Sequence, residues 1–192
     1  MVCGGLWAAG AGWGLWVLAA YANSPGESGA VPAAWPAGSR LERAADRATL
    51  VMLAHPHCPC TRASIAELER ALAAGGETVA THVVFIQPAA AGPEWRQSDL
   101  LRRAAAIPGV RVHWDAGEAE ARRFGIQTSG HTLLYDAGGR LLFSGGITGA
   151  RGHEGDNTGR SAIVSLLLQG KAARARSLVF GCSLGAAGAG KR

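Results

Sequence analysis

At 192 residues the chain has room for one domain with a core of roughly 120 to 140 residues, and a second globular unit does not fit beside it. The formal charge of +5 belongs to the end of the chain, because Lys171, Arg174, Arg176, Lys191 and Arg192 fall in the last 22 residues without an acid among them and residues 1–170 are neutral. No basic face interleaved with aromatics occurs elsewhere, so nucleic acid is excluded as a partner.

The chain begins with an uncharged run, Val2 to Tyr21, that includes Leu6, Trp7, Trp13, Leu15, Trp16, Val17 and Leu18. Its length can just cross a hydrocarbon core as a helix, although glycine dilutes it. No Lys or Arg precedes it and no cleavage site of small residues follows it, so the expectation is a retained transmembrane helix over residues 5–22. Gly10 and Gly14 form one small-x-x-x-small step, a weak signal for helix pairing. This sets residues 1–22 as a membrane anchor. Residues 23–44, with Pro25, Pro32 and Pro36 among their glycines, read as a stiff tether in which Trp35 lies against the domain. A folded domain is expected over residues 45–184 and a disordered basic tail over 185–192.

Within the domain, Thr49 to Ala54 reads as a buried strand that stops at His55-Pro56. A helix starts near Pro59 and ends at Gly75-Gly76, with Ile65, Leu68 and Leu72 as its inward stripe. Thr81 to Ile86 is a second strand, Asp99 to Ala106 a short helix, Val110 to Trp114 a third strand, and Glu118 to Phe124 a helix closed by Gly125. Thr132 to Tyr135 and Leu141 to Ser144 form a hairpin around Asp136-Ala137-Gly138-Gly139, and Ala162 to Leu168 is the last helix. The order β-α-β-α-β-α-β-β-α predicts an α/β fold, a mixed sheet with helices on both faces. The polar, glycine-rich stretch Gly145 to Gly159 costs entropy unless something orders it. It is not a phosphate loop, because it lacks the Gly-Lys-Ser/Thr ending. Glu154 and Asp156 beside His153 would suit either a hard metal ion or a plain turn.

Chemistry concentrates at His55-Pro56-His57-Cys58-Pro59-Cys60, where strand gives way to helix. Pro59 suits the first helical position and leaves the Cys58 thiol near unpaired helix N–H groups, which favours a thiolate and nucleophilic or ligand behaviour. Cys60, two residues on, is not placed as in a Cys-x-x-Cys pair. His55 and His57 flank the turn as cations, bases or ligands.

The strand, the cysteine turn, the helix and the passage from Phe124-Gly125-Ile126 to the hairpin resemble the thioredoxin and peroxiredoxin-related superfamily. The phrase His55-Pro56-His57-Cys58-Pro59-Cys60-Thr61-Arg62-Ala63-Ser64 resembles the small bacterial membrane-anchored RedB-like family, with further likeness in Gly145-Gly146-Ile147-Thr148, in Arg151 to Asn157 and in Val179-Phe180-Gly181-Cys182. The resemblance implies a thioredoxin-like domain at a bacterial inner membrane, facing the periplasm, with Cys58 as the sulfur that attacks a disulfide. The family's second cysteine falls at Thr61, and its cis-proline falls in Ser129-Gly130-His131-Thr132, where there is no proline; a trans or rearranged loop is expected, with His131 facing the cysteines. A peroxidase is disfavoured, because His55 stands where such enzymes carry Thr.

Three readings follow. The first is a membrane-anchored thiol-disulfide redox protein acting on a protein thiol or disulfide partner, with Cys58 as nucleophile, Cys60 or Cys182 as resolving cysteine, His57 beside it, and Arg62 or a helix-start N–H on the thiolate. It needs no cofactor. The second is a copper or zinc binder or metallochaperone using Cys58, Cys60, His57, His131, His153 and Cys182. The third is a non-catalytic interaction module whose disulfide pins the tail. Leu178, Val179 and Phe180 just ahead of Cys182 are what a docking segment needs, and docking would bring Cys182 into a disulfide with Cys58 or Cys60, or leave it as a small buried hydrophobe.

Overall fold

The computed structural model describes residues 2–185. The residues of the expected basic tail from 186 to 192 lie outside them.

Uninterrupted apolar runs make the centre of the molecule a five-stranded sheet in the order β3-β2-β1-β4-β5. β1 (Ala48–Ala54) pairs in parallel with β2 (Val79–Gln87), and β2 with β3 (Val110–Ala116). β4 (His131–Tyr135) runs antiparallel to β1, and β5 (Leu141–Gly146) antiparallel to β4. The central strand is buried on both faces, so it carries Leu50, Val51, Met52, Leu53 and Ala54 without a polar break.

One face of the sheet is covered by α2 (Pro59–Gly75), α3 (Asp99–Ala105) and α5 (Thr158–Gln169), with Leu50, Met52, Ile65, Leu68, Val83, Phe85, Phe143 and Ile163 in a common core. The other face is covered by α4 (Ala119–Arg123) and by irregular chain from both ends of the sequence, which bring Leu41 and Leu184 onto Val51, Leu53, Val84, Phe124, Leu133 and Tyr135. Trp35 packs edge-on to Phe124 and Tyr135 at 5.2 and 5.3 Å between ring centres, as the sequence leads one to expect. Around it the Tyr135 hydroxyl donates to the Pro32 carbonyl at 3.1 Å and the Trp35 N–H to the Gly139 carbonyl at 2.7 Å. Residues 26–41 are therefore laid along the domain.

α1 (Val2–Ala22) is a helix of 21 residues, yet neither it nor any other helix among the described residues is long and apolar enough to cross a membrane. The expected membrane anchor over residues 5–22, and with it an inner-membrane protein facing the periplasm, is overturned. An uncharged run is not an apolar one: Gly4, Gly5, Gly10, Gly12 and Gly14 bring no side chain, and Trp7, Trp13 and Trp16 bring indole N–H groups that hydrocarbon cannot satisfy. The large apolar side chains of the helix are exposed, Trp7 at 77% and Leu6 at 71%.

The stretch between β5 and α5 is ordered by one buried carboxylate. Glu67, fully buried on α2, accepts the Gly155 N–H at 2.8 Å, the Asn157 amide at 3.4 Å and the Arg160 guanidinium at 2.7 Å, and also pairs with Arg70. Asn157 then caps α5, its side-chain oxygen accepting from the Arg160 N–H at 2.8 Å. Charge and hydrogen bonds on Glu67 thus offset the entropy the loop loses.

Two buried histidines make stability depend on pH. His82 (1% exposed) meets His113 Nε2 at 2.9 Å and the Glu42 carbonyl at 3.0 Å, and desolvation lowers its pKa to about 4. His131 (0% exposed) meets the Ser144 hydroxyl at 2.8 Å and is also lowered to about 4 by desolvation. As pH falls through about 6.5 the unfolded chain takes up these protons while the fold refuses them until about 4, so stability is full above pH 6.5 and drops between 6.5 and 4. Each contributes a loss on the order of 3 kcal/mol at the acid end. Urea unfolding midpoints should fall from pH 7 to 4.5, and the fall should shrink in His131→Gln; an unchanged slope in that variant would reject the assignment.

Candidate active site

The site is built where β1 ends. His55-Pro56-His57 carries the chain out of the sheet, the Cys58 N–H returns to the His55 carbonyl at 3.3 Å, and Pro59 opens α2 with Cys58 in extended conformation as its N-cap residue. No side chain caps that end, so the first N–H groups of a 17-residue helix face the Cys58 sulfur's surroundings. Thr61, at the position of the missing second cysteine, closes the turn: its hydroxyl lies 3.1 Å from the His55 carbonyl and 2.8 Å from the Ser129 hydroxyl. The Ser129 hydroxyl also accepts the His55 N–H at 2.9 Å. Ser98, the N-cap of α3, donates to the Pro56 carbonyl at 2.7 Å and holds the turn from the other side.

The end of the chain reaches this turn as an added strand. The Ser129 N–H donates to the Cys182 carbonyl and the Leu184 N–H to the Gln127 carbonyl, each at 2.8 Å, with Thr128 and Ser183 bridged antiparallel. Val179 is fully buried, and Phe180 and Leu184 nearly so, which anchors the segment on either side of the cysteine. Gly181 approaches so closely that a β-carbon there would lie 2.0 Å from the Ser129 carbonyl oxygen. Arg151 ties the neighbourhood together: its guanidinium donates to the Gly181 carbonyl and, at 3.0 Å, to the Ser24 carbonyl, and it lies over the Tyr21 ring.

Cys182 consequently forms a disulfide with Cys58, across 124 residues of sequence and with the two α-carbons 6.2 Å apart. Of the two alternatives that the sequence leaves open for Cys182, Cys58 rather than Cys60 is its partner. Cys60 is a free, buried thiol, and the sulfurs of Cys58, Cys60 and Cys182 lie within 4.8 Å of one another, a cluster able to coordinate a metal ion. The expected histidines do not join it among the described residues. His57 is exposed and sets its Nε2 3.1 Å from the Trp95 carbonyl; His131 turns to Ser144 on β5; His153 is exposed on the loop before α5. Arg62 pairs with Asp99 at the start of α3, where the hydrogen bond it donates, and then its charge, hold the Asp99 carboxyl below the usual carboxylate range. The loop Ser129-Gly130-His131 contains no cis peptide bond, and Gly130 takes φ +83° with the Ser64 hydroxyl 2.5 Å from where a β-carbon would stand.

Trp95 is a member of the site that the sequence reading does not contain. Its indole packs against His55 and His57 at 5.0 and 5.2 Å, while its N–H donates to the Ile86 carbonyl at 2.8 Å. His55 is half-buried there, and its Nδ1 accepts the His57 N–H at 3.1 Å. Desolvation, and then the neighbouring His57, lower its pKa. A neutral imidazole and an indole form one wall of the cysteine turn. The tryptophan lies inside a 3₁₀ turn (Pro93–Arg96), too far in sequence from the two histidines for a local pattern to connect them.

A β-α-β-α-β run closed by an antiparallel hairpin and a helix, with Cys58 at the start of α2, makes a thioredoxin-like fold. Solved structures agree on that fold. A hypothetical protein from Sinorhizobium meliloti is similar with TM-score 0.59 and 22% identity over 80% of this chain and 94% of its own. An uncharacterized conserved protein from Geobacillus kaustophilus is similar with TM-score 0.59 and 18% identity over 83% of this chain and 90% of its own. No protein-family model matches the sequence, and a search of curated proteins finds no match, so the narrower RedB-like assignment gains no support from them.

Alkylation of the unfolded, unreduced chain followed by peptide mapping should label Cys60 and leave Cys58 joined to Cys182. Closing so long a loop restricts the unfolded chain, and reduction should lower unfolding free energy by up to about 5 kcal/mol. A Cys58–Cys60 linkage would contradict the arrangement.

Proposed function

We propose that the protein is a thiol-disulfide exchange protein in which Cys58 is the attacking sulfur and Cys182 resolves the mixed disulfide. The observation that carries this reading is the Cys58–Cys182 bond itself, which couples a sulfur at the start of α2 to one on a segment held by two backbone hydrogen bonds. In the reduced chain the Cys58 thiolate, favoured by the helix start, attacks a disulfide on a protein partner; that S–S bond breaks and one partner sulfur leaves as a thiolate. Cys182 then loses its proton and attacks the Cys58 sulfur, restoring the Cys58–Cys182 bond and releasing the second partner thiolate. The partner is reduced by two electrons and the chain is oxidised by two. A separate dithiol, itself becoming a disulfide, returns the chain to its reduced form.

His55 and Trp95 wall the turn, and Thr61, Ser129 and Ser98 hold its backbone. Both sulfurs are buried, Cys58 at 1% and Cys60 at 8% exposure, and the bond to Cys182 is what singles out Cys58. In reduced protein at pH 7, Cys58 should react with iodoacetamide faster than Cys60. Cys182→Ser should accumulate a mixed disulfide with oxidised glutathione on Cys58, whereas Cys58→Ser should slow exchange by at least a hundredfold; equal reactivity of Cys182 alone would sink the assignment of roles.

A second reading rests on the three converging sulfurs. Reduced Cys58, Cys60 and Cys182 offer three soft thiolates, a donor set that suits monovalent copper or zinc, while the disulfide removes two of them. Metal analysis of protein purified under reducing conditions without chelator should separate the readings. Near-stoichiometric copper or zinc lost in Cys60→Ser, with disulfide exchange retained in that variant, would assign Cys60 to the metal; background metal would remove this reading.

A further inference from the structure

We propose that His82 and His113 form a binding site for a divalent transition metal ion of the zinc class, held by His82 Nδ1 and His113 Nε2 with solvent on its remaining positions. The site is separate from the three sulfurs and does not depend on the exchange function proposed above. Register places Val84 of β2 opposite His113 of β3, so His82 and His113 are diagonal neighbours on one face of the sheet, the face that carries Val84 and Leu41. On the other side of His82 stands Val51 of β1, upstream of Ala54, where that strand ends and the cysteine turn begins.

Two ring nitrogens already face one another there. His82 Nδ1 and His113 Nε2 are 2.9 Å apart, and His82 Nε2 lies 3.0 Å from the Glu42 carbonyl. A carbonyl only accepts, so His82 Nε2 carries the ring proton and Nδ1 keeps its lone pair; His113 Nε2 is then the donor between the rings. An imidazole whose far N–H is fixed on a carbonyl presents its other nitrogen in the orientation that metal ligation uses. Metal–nitrogen bonds of about 2.0–2.1 Å span a 2.9 Å separation with an angle of roughly 90° at the ion, and opening the rings to roughly 3.3 Å gives the tetrahedral angle. The ion takes the place of the hydrogen bond: the His113 proton passes from Nε2 to Nδ1, both rings stay neutral, and no net proton leaves. Desolvation lowers both pKa values, so neither lone pair is taken by a second proton at pH 7.

Access runs through His113. His82 is buried, whereas His113 is half-buried on the outermost strand β3, and a cavity of about 380 Å³ bounded by His113, Arg40, Val84 and Glu120 gives the ion a way in and its solvent ligands room. Among the described residues no third histidine, cysteine or carboxylate atom lies within 4.8 Å of both nitrogens, so solvent completes the shell. The charges around the pair nearly cancel: Glu42 meets Arg111 at 3.1 Å, and buried Glu120 is met by Arg123 at 2.7 Å and Arg40 at 3.9 Å. Imidazole ligation therefore carries the affinity. Bound between the rings, the ion ties edge strand β3 to β2, and because it binds the folded chain it raises stability with its own concentration.

The test uses the full chain with Cys3→Ser and Cys60→Ser and with the Cys58–Cys182 bond intact, so that no thiol competes, and zinc chloride as the probe. Long-range proton–nitrogen spectra of the histidine rings should show, at equimolar zinc, His113 passing to the Nδ1–H tautomer and His82 Nδ1 shifting, with His55, His57 and His153 unmoved. Calorimetry should give a zinc affinity that falls by about tenfold or more in His113→Gln and is unchanged in His153→Gln. Zinc should also raise the unfolding midpoint of the parent and leave that of His113→Gln where it was. The ring spectra need no histidine substitution, so they decide the matter alone if circular dichroism shows His113→Gln unfolded. Zinc-induced shifts confined to His55, His57 or His153 would overturn the proposal, as would equal affinity in a folded His113→Gln or no binding up to millimolar zinc.

Discussion

The antiparallel pairing of residues 182–184 with 127–129 is the constraint on which the site depends. Without it the two sulfurs belong to segments 124 residues apart, one in the turn after the central strand and one near the end of the chain. Two backbone hydrogen bonds, flanked by buried Val179, Phe180 and Leu184, convert that separation into contact. The pairing needs a neighbour with no side chain, and Gly181 supplies it.

A second layer of support comes from charges that are paired where they are buried. Glu67 gathers the backbone of the loop before α5 and the Arg160 guanidinium, so the loop that carries Arg151 is held from inside the fold. Arg151 then reaches the Gly181 and Ser24 carbonyls. Removing the Glu67 carboxylate would leave Arg160 and the Gly155 N–H without a partner, and the disturbance would travel along the loop to the cysteine segment. A carboxylate midway along α2 is in this way tied to the segment that carries the disulfide.

The chemistry divides between rigid and exchangeable parts. Cys58 sits on a turn braced by Thr61, Ser98 and Ser129 and by the packing of His55 against Trp95. Cys182 sits on a segment held by two backbone hydrogen bonds, by buried Leu184 and by the Arg151 contact to Gly181. In the exchange proposed above, Cys58 is the attacking sulfur and Cys182 the resolving one. Cys60, buried beside them, adds the third thiolate that gives the cluster its capacity for a soft metal.

The alternation of apolar runs with proline and glycine punctuation determined the order of strands and helices, because each element's burial imprints its own period on the chain. Pro59 after Cys58 likewise marked the helix start and the reactive turn, and Val179-Phe180 marked a docked segment, since these signals lie within a few residues. The membrane helix failed on the same kind of local evidence: twenty uncharged residues are not twenty apolar ones when glycine and tryptophan fill them. Which cysteine pairs with Cys182, that His57, His131 and His153 stand apart from the sulfurs, that Arg62 spends its charge on Asp99, and that Trp95, Ser129, Arg151 and Glu67 build the site were decided by tertiary structure alone. Each depends on register between segments dozens of residues apart, and register is set by packing and backbone pairing that no local pattern records.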